Sequence, residues 1–261
     1  MEKAQRRNAI NLLEAELSKG FDGCDFKMRH VSERNPDSNV DTDKKFFIDN
    51  TIADSIAKKY NYAIENIVLK NEDPIICFRH NDCNIITPID VCEYKLRKLY
   101  ENGDVGLAGV IGTIALDTNC TWWGGVPRAG GRWTYGSGSI IQGGFDKEGK
   151  QIEYPMREHP GVHDYLATVD GCCMFFPKRI FEVGLRFDEN LKGFHFYDTD
   201  ISLQVLERGY KVSTIDIVVK HFSEGKPPKE FDELRKSFFE KWNKKVNGVW
   251  PISRLSKFNK D

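Results

Sequence analysis

The chain has 261 residues, 40% of them hydrophobic and 12% aromatic, with 30% charged residues and a formal net charge of −1. This is enough apolar material for one large core or two small ones, and it excludes a disordered chain, which would be poor in aromatics. No apolar run approaches the roughly 18 residues that span a bilayer, and Met1-Glu2-Lys3-Ala4-Gln5-Arg6-Arg7 leads into an amphipathic pattern instead of a signal-peptide core, so a cytoplasmic protein without a membrane anchor is expected.

In chain order, Ala9, Leu12, Leu13 and Leu17 recur at helical spacing and predict an N-terminal helix within residues 1–25. Phe26 to Val31 fits a first strand, followed by polar loop chemistry at Ser32-Glu33-Arg34-Asn35-Pro36-Asp37. Lys45-Phe46-Phe47-Ile48-Asp49 fits a second strand. Asn50 or Thr51 then caps a helix carrying Ile52, Ile56, Tyr60, Ala63, Ile64 and Ile67. Pro74-Ile75-Ile76-Cys77-Phe78 is a continuous apolar run, as a buried strand requires, and it ends in Arg79-His80-Asn81-Asp82. Thr87-Pro88-Ile89-Asp90 opens the next helix, and Val105 to Gly112 predicts another buried strand. Such alternation argues an α/β sheet, whose ligands collect beyond the carboxyl ends of strands, where Asp49 and His80 to Asp82 fall.

From Asp117 to Tyr165 the periodicity fails. Trp122, Trp123 and Trp133 stand among glycine pairs there, and a long loop with this aromatic content suits a lid or an acceptor-binding segment. Thr168 to Phe176 resumes as a strand interrupted by Gly171, where a ligand could approach the backbone. Pro177 then starts a short helix, Lys211 to His221 gives a strand, and Phe231, Leu234, Phe238 and Trp242 mark a last amphipathic helix. Seven cysteines, odd in number and with Cys172 beside Cys173, speak against a disulfide framework.

Two features bear on chemistry. In Phe194-His195-Phe196-Tyr197-Asp198-Thr199-Asp200-Ile201 two carboxylates stand at the mouth of a helix that runs toward Gly209. The helix dipole favours them ionised, which suits either plain capping or a base. Further on, Lys241, Lys244, Lys245, Arg254, Lys257 and Lys260 are interleaved with Trp242, Trp250 and Phe258. That mixture suits a phosphate backbone with exposed bases, or simply a solvated tail.

Ser55-Ile56-Ala57-Lys58-Lys59-Tyr60-Asn61, Phe78-Arg79-His80-Asn81-Asp82, Val169-Asp170-Gly171, the Phe194 to Asp200 segment and His221-Phe222-Ser223-Glu224-Gly225 occur in an order that resembles the glycosyltransferase family 2-like group, in its streptomycin-biosynthesis-protein-related branch. The resemblance spans about residues 26–225 and implies a GT-A-type, Rossmann-like central mixed sheet flanked by helices, followed by a C-terminal helix and basic tail over 226–261. Within it, 117–165 would be the acceptor or lid loop, with Trp122, Trp123, Trp133 and Tyr197 on the acceptor side.

The remaining roles follow from the same resemblance. Asp82 and His221 would hold Mn²⁺ or Mg²⁺ on the donor diphosphate, Asn81 standing where relatives carry an acid and so lowering the charge of the site. Asp49, His80, Asn81, Asp170 and Gly171 would contact the nucleotide or donor sugar, with Arg29, His30 and Ser32 the weaker candidates for the nucleotide pocket. Asp198 would be the general base of an inverting transfer, supported by Asp200, while Tyr197 replaces the more usual acid. The implied donor is a nucleoside diphosphate sugar, in the first instance a UDP-sugar. The basic aromatic tail, with Lys3, Arg6 and Arg7, favours a hydroxymethylated base of double-stranded DNA as acceptor, in the manner of a phage enzyme. A polysaccharide or small-metabolite acceptor, and a degenerate module that binds nucleotide sugar or DNA without turnover, are the alternatives. No obligate protein partner is evident. A nucleotidyltransferase is disfavoured because Ser32 to Asp37 contains no glycine for a phosphate loop.

Overall fold

The computed structural model describes residues 28–32, 45–47, 55–80, 82–117, 119–121, 136–146, 148–159, 161–191, 194–222 and 231–252. The N-terminal helix expected within 1–25, Asp49, Asn81, the three tryptophans at 122, 123 and 133, and the basic tail beyond Ile252 lie outside these residues.

Alternating β and α elements build two mixed sheets. The first contains β1 (Met28–Ser32), β2 (Lys45–Phe47), β3 (Ile75–Arg79), β5 (Val105–Gly109), β10 (Cys173–Pro177) and β11 (Lys211–Thr214), in the order β11-β5-β10-β3-β1-β2. All neighbours in it are parallel except β10, which runs antiparallel to both β3 and β5. The second contains β4 (Cys83–Ile85), β12 (Val219–Phe222), β7 (Gly136–Phe145), β6 (Ile111–Thr113) and β9 (Thr168–Val169) in that order, with β8 (Gln151–His159) paired to β7. The helices are α1 (Ile56–Asn66), α2 (Ile89–Tyr100), α3 (Arg179–Glu182), α4 (Tyr197–Glu207) and α5 (Phe231–Trp242).

β3 and β10 are buried along their whole length because both faces of the first sheet are covered. On one face, Ile76, Phe78 and Phe176 pack with Tyr60 and Ile64 of α1, Ile180 of α3 and Ile201 of α4. On the other, Cys77 and Phe175 meet Leu96 of α2, Phe238 and Trp242 of α5, and Ile140 and Val219 of the second sheet. Phe78 lies at the centre of the first layer, its ring 4.6 Å from that of Tyr60, 5.5 Å from Phe187 and 5.8 Å from Phe176. Burying one such ring contributes about 2–3 kcal/mol, so this aromatic layer fixes the end of β3 that carries the site.

Several sequence expectations are refined. The cap of α1 is Ser55, whose side chain accepts from the Lys58 amide at 3.3 Å, in place of Asn50 or Thr51. Val105 to Gly112 is two strands, since the chain leaves the first sheet at Val110, whose carbonyl accepts from the Ser139 amide at 2.8 Å. Lys211 to His221 divides likewise into β11 and β12. Pro177 closes β10 instead of starting a helix. The span 117–165 is not a loop throughout: it contains the β7–β8 hairpin, hidden in sequence because glycines occupy sites where side chains would betray a period of two. Gly143 is one of them, for a Cβ there would stand 2.4 Å from the Phe222 ring.

α5 is tied to α4 through Asp200, which is 0% exposed. Its Oδ1 accepts from Trp242 Nε1 at 2.7 Å and lies 2.7 Å from Lys241 Nζ, and its Oδ2 accepts from Gln204 Nε2 at 2.7 Å. Replacing Asp200 with Ala strands a buried indole N–H and an ammonium, which is expected to cost about 3 kcal/mol. Thermal unfolding of Asp200→Ala checks this; an unchanged midpoint contradicts it.

Candidate functional site

The carboxyl end of β3 delivers Arg79 and His80, and a tight reversal follows, in which the Cys83 amide donates to the His80 carbonyl at 3.2 Å. Asp82 rides on this reversal, and its carbonyl accepts from the Phe222 amide at 2.9 Å. That bond and the pairing of His221 with Cys83 bring β12 alongside. On the other flank the His80 amide donates to the Cys172 carbonyl at 2.9 Å, which fixes the turn carrying Asp170 and Gly171. α4 begins against that turn.

His80, Asp82 and His221 offer ligand atoms that all lie within 4.8 Å of one another. Asp82 Oδ1 is 3.5 Å from His221 Nε2 and 4.0 Å from His80 Nδ1. That oxygen is buried and, apart from its 3.5 Å approach to His221 Nε2, has no hydrogen-bond partner among the described residues. A buried carboxylate oxygen left unsatisfied between two imidazoles is costly, and a divalent cation would satisfy it with a donor set of suitable type. Burial drives the His80 pKa down to about 4, outweighing the pull of Asp170, so this ring is neutral as a ligand must be. Its Nε2 is held by the Tyr197 hydroxyl at 2.5 Å, leaving Nδ1 turned toward Asp82. Burial opposes charging of His221 as well, but Asp82 and Asp170 together outweigh it and raise that pKa. For Asp82 burial is likewise the largest influence and is outweighed by the two histidines, so its pKa falls below the ordinary value.

The other half of the site is the first turn of α4. Phe196, which caps the helix in the left-handed region at φ 67°, stacks on Phe238 at 5.1 Å and lies 5.0 Å from Phe231. From this fixed entry Asp198 turns back to the sheet, its Oδ2 accepting from the Gly171 amide at 3.0 Å and its Oδ1 from the Thr199 amide at 2.8 Å. Burial, then the neighbouring Asp170, push the Asp198 pKa up to about 7. A carboxyl so tuned exchanges protons readily near neutrality.

Gly171 permits this approach. A Cβ there would fall 2.0 Å from the Tyr197 hydroxyl oxygen and 3.0 Å from Asp198 Cβ. Gly171→Ala must therefore displace Tyr197 and with it His80, at a cost of about 1–3 kcal/mol in stability. Thermal unfolding checks it, and a variant that melts with the wild type would show that α4 has room to move.

Of the residues singled out from sequence, His80, Asp82, Asp170, Gly171, Tyr197, Asp198 and His221 thus come together. Asp200 does not, because two positions along a helix turn its carboxylate into the core against α5. Its side-chain partners among the described residues are Trp242, Lys241 and Gln204, through which it anchors the helix. Tyr197, expected on the acceptor side, is buried behind His80. His30 and Ser32 are placed by backbone alone, with Ser32 in register with Arg79 at the carboxyl end of β1. Asp49, Asn81, Trp122, Trp123 and Trp133 lie outside the described residues. Sequence reasoning missed His195, which packs 5.2 Å from Phe231 and feels the charge of Asp170, and whose pKa burial lowers. It also missed Phe194, an exposed ring 4.9 Å from that of His80. Both stand in the quoted motif, but nothing in the letters distinguishes an exposed ring from a buried one.

The basic aromatic segment is also differently employed. Trp242 is core, Lys241 pairs with Asp188 at 2.5 Å as well as with Asp200, and Lys244 pairs with Glu207 at 2.8 Å. Among the described residues no helix is long and apolar enough to cross a membrane.

The profile of a glycosyltransferase-like family matches residues 38–242, and the chain belongs to that family. No curated protein matches it. Among solved structures, a crystal structure of GalNAc-T7 with UDP, GalNAc and Mn²⁺ aligns at 12% identity and a TM-score of 0.43, over 74% of this chain and 36% of that one. The chain therefore spans about a third of the length of that protein.

Proposed function

We propose that the protein is a metal-dependent, inverting glycosyltransferase of GT-A type that moves a sugar from a nucleoside diphosphate, in the first instance UDP, to a hydroxyl acceptor. The observation that carries this reading is the orphaned oxygen of Asp82 between His80 and His221, joined through His80 and Tyr197 to the helix turn that presents Asp198. Asp82 and His221, with His80 beside them, would hold Mn²⁺ or Mg²⁺, which when bound supplies positive charge to the departing diphosphate. Asp198 takes the proton of the acceptor hydroxyl as its oxygen bonds to the anomeric carbon, and the bond from that carbon to the diphosphate oxygen breaks on the opposite face. Asp170 and the Gly171 backbone border the place where donor sugar and acceptor meet, and the Gly171 amide holds Asp198 in line. Asp49, His30, Ser32 and Asn81 are proposed for the nucleotide on the strength of the motif alone.

The hydroxymethylated DNA base loses much of its sequence argument, since Lys241 and Lys244 are paired within the chain and Trp242 is buried. What remains of that argument is Lys245, which is exposed, with Lys3, Arg6, Arg7, Arg254, Lys257, Lys260 and the tryptophans at 122, 123 and 133, which lie outside the described residues. A module that binds the nucleotide sugar without turnover is the second reading, favoured by Asn81 where an acid is usual.

One experiment separates the two. The protein is incubated with a panel of sugar nucleotides and Mn²⁺, and free nucleoside diphosphate is measured by chromatography. Metal-dependent release from at least one donor is expected. Binding of a donor without release at any metal concentration favours the module and sinks the enzyme.

A further inference from the structure

We propose that Phe194 is an acceptor platform, and that the acceptor is a neutral pyranoside whose apolar ring face lies on it. This rests on the transfer reading above. Phe194 is 46% exposed, although its ring packs 4.9 Å from His80 and 6.1 Å from Tyr197, the two residues that join the metal-ligating cluster to α4. His195 meets it edge-on at 5.8 Å and is itself braced by Phe231, so the Phe194 ring is held from two sides while much of its surface stays open. An exposed aromatic immobilised at a reaction centre is costly to leave bare and apt for a flat apolar ligand surface.

The surrounding charge selects which ligand. Asp82, Asp170 and Asp198 crowd the same place, and Asp170 acts electrostatically on His80, His195, His221 and Asp198 alike. With Asp82 taken up by the cation that offsets the donor diphosphate, Asp170 and Asp198 remain in the cleft to disfavour a phosphate backbone as acceptor, and Lys241 and Lys244 are engaged with Asp188, Asp200 and Glu207. A neutral sugar meets neither penalty. Its C–H face can cover the phenyl ring while its hydroxyls donate to carboxylates, one of them within reach of Asp198.

The test uses the full chain with Mn²⁺ and UDP present. Saturation-transfer NMR is recorded with methyl β-glucopyranoside, methyl α-mannopyranoside and a methyl N-acetylglucosaminide, and separately with a short hydroxymethylated DNA duplex. At least one glycoside is expected to bind, to weaken about tenfold in Phe194→Leu, and to recover in Phe194→Trp. Recovery by an aromatic but not by an aliphatic side chain separates stacking from mere support of His80. Equal binding in the wild type and Phe194→Leu overturns the platform, as does failure of all three glycosides to bind. Binding of the duplex alone, dependent on Phe194, overturns the sugar and keeps the surface. Glycoside binding with no release of nucleoside diphosphate from any donor leaves the platform standing and defeats the transfer reading instead.

Discussion

Asp198→Asn is expected to lower turnover by about 10²–10⁴-fold, the range over which a positioned general base contributes, while donor binding changes little. Asn keeps the size of the side chain but cannot take a proton. One amide oxygen can still accept from Gly171 or Thr199, so the helix start survives. The same carboxyl fixes the pH dependence. With its pKa pushed up to about 7, the base form is scarce at pH 6 and dominant at pH 8, so kcat/KM of the wild type should rise through pH 7 and level off. Stability should run the other way. The folded-state pKa lies above the ordinary 3.8, so the folded chain binds this proton more tightly, and the stability it brings is lost as pH rises from about 4 through about 7. Asp198→Asn should remove that part of the decline. Steady-state kinetics and thermal unfolding across pH 5–9 measure both, and an undiminished rate in Asp198→Asn takes the base role away from it.

Asp82→Asn is expected to weaken Mn²⁺ binding by at least about a hundredfold, more than loss of a supporting hydrogen bond costs, since it removes the one carboxylate of the three-ligand group. The fold should tolerate the change. In the metal-free protein burial is outweighed by the two histidines, which hold the Asp82 pKa below its ordinary value, so the fold favours this charge and its removal should lower the melting temperature modestly at neutral pH. A purely structural acid would show the lower melting temperature with unaltered Mn²⁺ affinity. Calorimetric titration of Mn²⁺ beside thermal unfolding distinguishes the two.

The sequence was most legible where one physical preference acts alone. The all-apolar runs at Ile75 to Phe78 and Cys173 to Phe176 could only be buried strands or core helix, and Arg79 or Pro177 bounds them. Phe231, Leu234, Phe238 and Trp242 announced α5 because its inner face is apolar at helical spacing. The β7–β8 hairpin was illegible because its glycines answer to neighbours distant in sequence, such as the Phe222 ring beside Gly143. For the same reason the break at Val110 could not be read: the two sheets share one apolar run, and what divides it is that β5 pairs with β10 and β11 while β6 pairs with β7 and β9.

At the site the motif order brought His80, Asp82, Gly171, Asp198 and His221 to one place, but their division of labour is three-dimensional. Asp198 and Asp200 are two acids in one helical turn, and a rotation of about 200° makes one a cleft residue and the other a core anchor. Likewise Lys241 and Trp242 resembled a polyanion-binding tail until Asp200 and Asp188 supplied their partners.

The most direct test of the shared metal and base site is a crystal of the protein grown with Mn²⁺ and UDP, measured at a wavelength where manganese scatters anomalously. The account predicts one strong anomalous peak bonded to Asp82 and His221, with the diphosphate on it and Asp198 facing the sugar end of the cleft. A peak elsewhere, or nucleotide bound on the far side of the molecule from Asp198, would contradict it.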